Sequence, residues 1–162
     1  MHQLTGVHFV ILTLLLEQST CSVTPFLLRG YSLYGVCSRR YISMGWEVEG
    51  TDEFTDWFMG LTRSESDAVA RAVGLLERFG PALGDPYTSD VVSSRHKRMR
   101  ELKAQHRGHP LRMLYAFDPR RTAIILLGGD KTGDDRWYDV NVPRADRLYD
   151  VHRDELKQEG LI

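Results

Sequence analysis

Apolar residues recur at helical spacing in two consecutive stretches of the chain. In the first stretch they occupy positions i, i+3, i+4 and i+7: Phe54, Trp57, Phe58 and Leu61. The second stretch opens with Ser64 and Asp67, a pair similar to a capping box, and continues as one apolar stripe: Ala68, Val69, Ala72, Val73, Leu76 and Phe79. Gly80-Pro81 ends this stripe. The pattern predicts two helices joined by residues 61–63, in an antiparallel hairpin.

Strand-like patterns lie on both sides of these helices. A short alternating run, residues 46–50, precedes them, and a loop rich in Gly, Pro, Asp and Ser, residues 80–94, follows. Three further runs, residues 101–105, 111–117 and 122–128, are joined by Arg107-Gly108, a two-residue hairpin turn, and by a proline-containing turn at 118–121.

The last element predicted is a helix over residues 143–159, with Pro143 in its first turn. The order β-α-α-β-β-β-α predicts an α+β fold with a small, antiparallel-dominated sheet. We expect the two early helices to pack on one face of this sheet and the chain to close with the C-terminal helix.

The two turns fix which residues share a face of the sheet. With Arg107-Gly108 as the first turn, Lys103 lies opposite Arg112; with 118–121 as the second, Arg112 lies opposite Leu127. The face expected to pack on the helices collects Leu102, Ala104, Leu111, Met113, Tyr115, Phe117, Ile124 and Leu126. The other face collects Lys103, Arg112, Leu114, Ala116, Ile125, Leu127 and, past two glycines, Lys131. Lys103, Arg112 and Lys131 are thus expected to converge, with Arg98 and Arg100 approaching from the loop edge.

Charge strengthens this expectation. The chain of 162 residues has a net charge of −1, so bulk charge does not indicate a nucleic-acid partner. Residues 95–112, however, contain seven lysines and arginines against one acid, Glu101. A cluster this dense in a slightly acidic chain is typical of a surface that binds a polyanion.

RNA cleavage is one reaction that such a surface can support. It requires stabilisation of the negative charge that builds up on phosphorus, which fixed guanidinium and ammonium groups provide. A lysine with a lowered pKa is a candidate general base. His106 and His109 lie at the predicted hairpin tip and are interpreted as surface residues. Residues 128–133 lack the order of a phosphate-binding P-loop.

No metal or other cofactor is expected. Asp134-Asp135 is the one tight acid pair in this region and is interpreted as a solvent-exposed loop. Zinc is disfavoured because both cysteines, Cys21 and Cys37, precede Met44 and the histidine spacing is unsuitable. The absence of cysteine from residues 44–162 suits a cytoplasmic protein.

Residues 1–43 differ from the rest of the chain. Their apolar run, residues 9–16, is too short to cross a bilayer, and no lysine or arginine precedes it. We interpret this segment as a poorly ordered extension or a mis-annotated start, with Met44 as the working initiator and residues 44–162 as the functional domain. No membrane association is expected.

Three segments together resemble the RelE-like toxin superfamily, in particular its HigB branch of phage-derived host-killing proteins. They are residues 99–103 (Met-Arg-Glu-Leu-Lys), 111–118 (Leu-Arg-Met-Leu-Tyr-Ala-Phe-Asp) and 126–133 (Leu-Leu-Gly-Gly-Asp-Lys-Thr-Gly), followed by a closing helix with Pro-Arg-Ala-Asp-Arg-Leu-Tyr. The resemblance covers residues 46–160 and implies a RelE-like fold. It also implies the toxin of a type II toxin–antitoxin pair, a metal-independent endoribonuclease that cuts mRNA on the ribosome and inhibits translation and growth.

The resemblance assigns roles to particular residues. Lys103, Arg112 and Lys131 match the basic, catalytic positions on the central sheet, and Tyr138 matches an aromatic residue that stacks on an RNA base. Arg98 and Arg100 join Tyr138 as expected RNA-binding residues. The implied protein partner is an antitoxin, typically of the helix-turn-helix type.

Two other functions stay open from the sequence. A ParE-like relative has the same fold and poisons a topoisomerase without phosphoryl chemistry. A non-catalytic interaction module would use an exposed apolar strip, Leu114, Ile125 and Leu127, to dock a partner.

Overall fold

The computed structural model describes residues 45–162. Strand β1 (Glu47–Gly50) is followed by helices α1 (Asp52–Met59) and α2 (Arg63–Phe79) and by a 3-10 turn, Gly80–Ala82. Four strands and one helix complete the domain: β2 (Thr88–Asp90), β3 (Met99–His106), β4 (His109–Phe117), β5 (Thr122–Asp130) and α3 (Trp137–Gln158). The α+β fold predicted from the sequence is therefore confirmed, and it is consistent with a RelE-like fold. The interpretation of residues 1–43 lies outside the described residues.

Side-chain caps determine where the first two helices begin. The hydroxyl of Thr51 accepts a hydrogen bond from the Phe54 amide and donates one to the Leu126 carbonyl, which ties α1 to β5. Helix α2 begins one residue earlier than predicted, because its capping pair is Thr62 and Glu65 rather than Ser64 and Asp67. The Glu65 carboxylate accepts the Thr62 amide at 2.9 Å.

The five strands form one mixed sheet in the order β1-β5-β4-β3-β2. Only β1 and β5 run parallel among the described strands; the other pairs are antiparallel. The hairpin turn at Arg107-Gly108 is confirmed, with both residues at positive φ, and it places Lys103 opposite Arg112 as predicted. The predicted loop at residues 80–94 contains a strand that was missed, the three-residue edge strand β2.

The predicted register between β4 and β5 is wrong. A bulge lies where Leu114 pairs with Leu127 and Tyr115 pairs with Ile125, so Leu126 has no partner in β4. Arg112 consequently lies opposite Gly129 instead of Leu127, and Met113 lies opposite Gly128. The extra residue also changes the face on which Ile124 lies, because face alternates along a strand.

Helices cover both faces of the sheet. A Cβ on Gly128 would lie 2.2 Å from the ring of Trp57 in α1, and one on Gly129 would lie 2.8 Å from the indole nitrogen of Trp137 in α3. Adjacent residues of β5 thus face opposite helices. The core beneath α3 is a cluster of buried residues: Val91, Met99, Leu114, Ala116, Ile124, Leu126, Leu127, Trp137, Val142, Ala145 and Tyr149.

The packing of α3 on the second face of the sheet contradicts two expectations from the sequence. Ile124 and Leu126 pack beneath α3, not against the early helices, and Leu114, Ile125 and Leu127 are buried rather than an exposed strip. The apolar strip proposed for an interaction module is therefore not available at the surface. Among the described residues, no helix is long and apolar enough to span a membrane.

Helix α3 begins six residues before Pro143, which lies within it rather than at its start. Trp137, in its first turn, is buried over Gly129, and this packing fixes the start of the helix. The side-chain amide of Asn141 donates to the Trp137 carbonyl at 2.9 Å. The early start of α3 also brings Tyr138 over the sheet.

Candidate active site

Four predicted site residues meet on the α3 face of the sheet, around one acid that was not predicted. We call Lys103, Arg112, Lys131, Tyr138 and Glu101 the cationic cluster. Lys103 and Arg112 are cross-strand neighbours on β3 and β4, and Glu101 lies two residues before Lys103 on the same face. The structure places Lys103 and Arg112 side by side at Glu101, whereas Lys131 joins them only through its contact with the Tyr138 ring.

Glu101 connects the members of the cluster. One of its oxygens accepts the Ser89 hydroxyl at 2.6 Å and lies 3.7 Å from the Lys103 ammonium. The other accepts the Tyr138 hydroxyl at 2.5 Å and lies 3.8 Å from Nε of Arg112. The Glu101 side chain is 9% exposed, so a buried carboxylate holds the cations and the tyrosine in place.

Tyr138 is the bridge between Glu101 and Lys131. Burial, followed by the hydrogen bond to the Glu101 carboxylate, raises the pKa of Tyr138 to about 12, so its hydroxyl stays protonated near neutral pH. The ammonium of Lys131 lies 5.3 Å from the centre of the Tyr138 ring, a cation–π contact. The backbone amide of Lys131 donates to the Pro110 carbonyl at 3.0 Å, which fixes the loop that carries it.

Arg112 retains an unused hydrogen-bond donor. Its Nε is buried and has no hydrogen-bond partner, since 3.8 Å to Glu101 is too long for a hydrogen bond. One terminal nitrogen donates to the Leu111 carbonyl at 3.1 Å, which orients the guanidinium group. A buried donor without an acceptor is costly, so the Arg112 guanidinium group is held in an unfavourable environment.

Arg98 and Arg100 do not join this cluster. Arg100 pairs with Tyr115 and so faces away from Lys103; its guanidinium contacts Asp90 at 3.0 Å and two backbone carbonyls. Arg98 precedes β3, at the end of the sheet remote from the 107–108 hairpin. The prediction that both approach the cationic face is wrong, because alternation along β3 reverses the side at Arg100.

The histidines of the hairpin also lie apart from the cluster. His106 pairs with His109, on the face of Leu102 and Ala104 rather than that of Lys103. His109 is bound to Asp130 at 3.0 Å and is about half exposed. Asp134 and Asp135 are exposed loop residues, and no group of three or more potential metal ligands occurs within residues 45–162.

Glu101 is the site residue that sequence reasoning missed. Its one signal in the sequence is its position as the lone acid in the basic stretch of residues 95–112. Its burial depends on α3, whose Tyr138 closes over it, and this contact joins residues 37 positions apart.

The fold and the cluster together define a small α+β protein that carries cations around a buried acid on a helix-covered sheet. Residues 56–150 match the family described as "Phage derived protein Gp49-like (DUF891)". Two relatives from Mycobacterium tuberculosis (strain ATCC 25618 / H37Rv) also match. The one named "Putative toxin HigB2" is 40% identical over 112 residues, which cover 68% of this chain and 55% of the relative. The one named "Putative toxin HigB3" is 48% identical over 92 residues, covering 56% of this chain and 79% of the relative.

The chain therefore belongs to the Gp49-like family of phage-derived proteins, and, with the two relatives named as HigB toxins, the resemblance identified from the sequence is confirmed. The chain spans about half the length of the first relative.

Proposed function

We propose that this protein is the toxin of a type II toxin–antitoxin system and acts as a metal-independent endoribonuclease on mRNA, on the ribosome. The observation that carries the proposal is the cationic cluster, in which the cross-strand cations Lys103 and Arg112 flank one buried carboxylate and Lys131 lies against the tyrosine bound to that carboxylate. Family membership supports the toxin function, and the cluster supports the chemistry.

The proposed reaction is cleavage of an RNA backbone by its own ribose. The 2′-oxygen attacks phosphorus and gives its proton to solvent, while the 5′-oxygen leaves and takes a proton from solvent. The products are a 2′,3′-cyclic phosphate and a free 5′-hydroxyl. The barrier is dominated by charge on the phosphorus oxygens, and preorganised donors stabilise that charge.

Each member of the cluster has a distinct part in this reaction. Arg112 offers the exposed part of its guanidinium group to a phosphate oxygen, and Lys103 adds a second positive charge beside it. Lys131 supplies a third charge from the loop after β5, and the half-buried ring of Tyr138 offers an edge on which a base can rest. Glu101 is a positioning residue, because it contacts the other side chains and is almost inaccessible itself.

The cationic cluster also argues against a protein that only binds a partner and catalyses no reaction. A binding surface needs cations that reach solvent, whereas the Arg112 side chain is 18% exposed and one of its terminal nitrogens is held by the Leu111 carbonyl. Fixed, partly desolvated donors are what stabilise a transition state, since they need no reorganisation during the reaction. A partner antitoxin, of the helix-turn-helix type, would act by covering this face or by holding the chain away from the ribosome.

Induction of the protein in bacterial cells, followed by primer extension on an abundant message, tests the proposal. We expect discrete cuts at translated codons and none with Arg112→Ala, a loss of about 100-fold or more in cleavage. Arg71→Ala, which changes an exposed arginine of α2, is the matched control and should cut as the native chain does. Intact messages together with broken DNA would favour a ParE-like topoisomerase poison instead.

A further inference from the structure

A second cationic site lies at the other end of the sheet. A cavity of about 460 Å³ opens where β3 begins and β4 ends, remote from the 107–108 hairpin. We call it the end cavity; the lining residues that matter here are Trp46, Lys97, Arg98, Arg100, Phe117 and Arg121.

Most of the positive charge in this cavity is uncompensated. Arg100 is paired with Asp90, at 3.0 Å. Asp118, which also lines the cavity, has a fully buried side chain that is bound to Arg120 and His152. In the described part of the chain, Lys97, Arg98 and Arg121 form no salt bridge. Three charges therefore face the cavity without a carboxylate partner.

The remaining wall is aromatic. Trp46 and Phe117 meet edge to face with ring centroids 5.1 Å apart, and the Arg121 guanidinium lies 4.9 Å from the centre of a Trp46 ring. A site of free cations beside aromatic surface suits a ligand that combines phosphate with a base, because single-stranded nucleic acid is bound by these two features together. The volume lies in the range of pockets that enclose small ligands, which a single nucleotide matches.

We propose that the end cavity binds a nucleotide of the same RNA strand that the cationic cluster cleaves, several residues away from the cut. The inference rests on the proposed function. Lys103 lies about 13 Å along β3 from Met99, which Arg98 immediately precedes, so a strand only a few nucleotides long can reach from one site to the other around the edge of the sheet. Arg98 and Arg100, which the sequence predicted as RNA-binding residues of the cluster, then bind RNA at this second site.

An acidic peptide is the competing occupant. Its carboxylates would pair with the same cations but would leave the aromatic wall unused, and planar guanidinium groups bind phosphate oxygens in pairs. The observations therefore favour RNA, and the peptide becomes an outcome of the test.

The test measures binding of the full chain to a fluorescent, 2′-O-methylated RNA of about 12 nucleotides, which has no free 2′-hydroxyl and stays uncut. The variant Lys97→Ala/Arg98→Ala removes two of the free charges. We expect its affinity to fall about 15-fold at 0.15 M salt, and the slope of log affinity against log salt to fall by about 1.4, because each phosphate contact on single-stranded nucleic acid contributes about 0.7.

A matched control removes the same charge elsewhere. Arg63→Ala/Arg71→Ala changes two exposed arginines of α2 that do not line the cavity, and should leave affinity and slope unchanged. Equal behaviour of the two double variants would overturn the inference. So would loss of binding to the partner antitoxin with RNA binding intact, which would assign the cavity to an acidic protein segment.

Two further measurements, AMP binding and RNA cleavage, distinguish a free nucleotide from an RNA strand and the second site from the proposed function. If AMP fills the cavity as tightly as the long RNA does, the ligand is a free nucleotide and the assignment to a strand is overturned. If the native chain does not cleave mRNA on translating ribosomes but the cavity variant still loses affinity for the modified RNA, the proposed function fails while the second site stands. If the native chain cleaves mRNA but the cavity variant keeps its affinity for the modified RNA, the proposed function stands and the second site fails.

Discussion

The buried carboxylate of Glu101 provides a sharp test of how the cationic cluster is held together. Lys103 lies almost equally far from two carboxylates, 3.7 Å from Glu101 and 3.6 Å from Asp85. The two acids differ in burial, since the Glu101 side chain is 9% exposed and the Asp85 side chain 85% exposed. Glu101→Gln and Asp85→Asn therefore make the same chemical change at the same distance from one cation.

The expected magnitudes follow from that difference. Removing one partner of a buried ion pair costs about 3–5 kcal/mol. Glutamine keeps the volume and an oxygen for the Tyr138 hydroxyl, so we expect Glu101→Gln to lower the free energy of unfolding by about 2–3 kcal/mol. Asp85→Asn should cost less than about 0.5 kcal/mol, because water screens an exposed pair.

Urea unfolding of both variants measures these differences, and calorimetry checks them. At roughly 3–5 °C per kcal/mol for a domain of this size, Glu101→Gln should lower Tm by about 10 °C and Asp85→Asn by less than about 2 °C. Equal costs for the two variants would show that burial does not strengthen the cluster. Glu101 would then be a bystander and not the residue that positions the cations.

Three further results are expected. Tyr138→Phe should destabilise the protein at neutral pH. The folded-state pKa of Tyr138 is raised to about 12, so the stability that its hydroxyl contributes should be complete below pH ~10 and disappear as pH rises through about 12. Unfolding measurements on the native chain and the variant across that pH range would detect the loss. Gly128→Ala should cost about 1–3 kcal/mol, since the added Cβ would meet the Trp57 ring at 2.2 Å, whereas Gly84→Ala has nothing within 4 Å and should be nearly neutral by the same measurement. Arg112→Ala should retain the native circular dichroism spectrum while losing cleavage; a variant that unfolds would contradict its assignment to the reaction.

The register of the first hairpin could be predicted because a two-residue turn leaves little choice. Arg107 and Gly108 both adopt positive φ, which favours the tight turn, and the pairing of Lys103 with Arg112 follows from it. The same turn and the alternation along the strands place Lys103 and Arg112 on one face, and both are local properties.

The second hairpin shows why the rest could not be predicted. Residues 123–127 read Ala-Ile-Ile-Leu-Leu, a run with no polar position to mark a face, because helices cover the sheet on both sides. Such a strand gives no signal for the bulge beside Leu126. Helix α3 raised a similar difficulty, because Pro143 marks a common helix start while the actual start is set by Trp137 packing on Gly129, a tertiary contact.

Glu101 depended on contacts that are remote in sequence. Its two hydrogen-bond partners are Ser89, on an edge strand too short to recognise, and Tyr138, on a helix whose start was misplaced. The role of a single acid among seven cations becomes clear only once the positions of β2 and α3 in the fold are known.

The most direct test of the central claim is mass spectrometry of a defined mRNA after incubation of the purified full chain with translating ribosomes and no added divalent metal beyond what the ribosome requires. We expect fragments that end in a 2′,3′-cyclic phosphate and begin with a 5′-hydroxyl, formed by the native chain and Arg71→Ala but not by Arg112→Ala. Intact mRNA with the native chain, or fragments formed equally by Arg112→Ala, would contradict it.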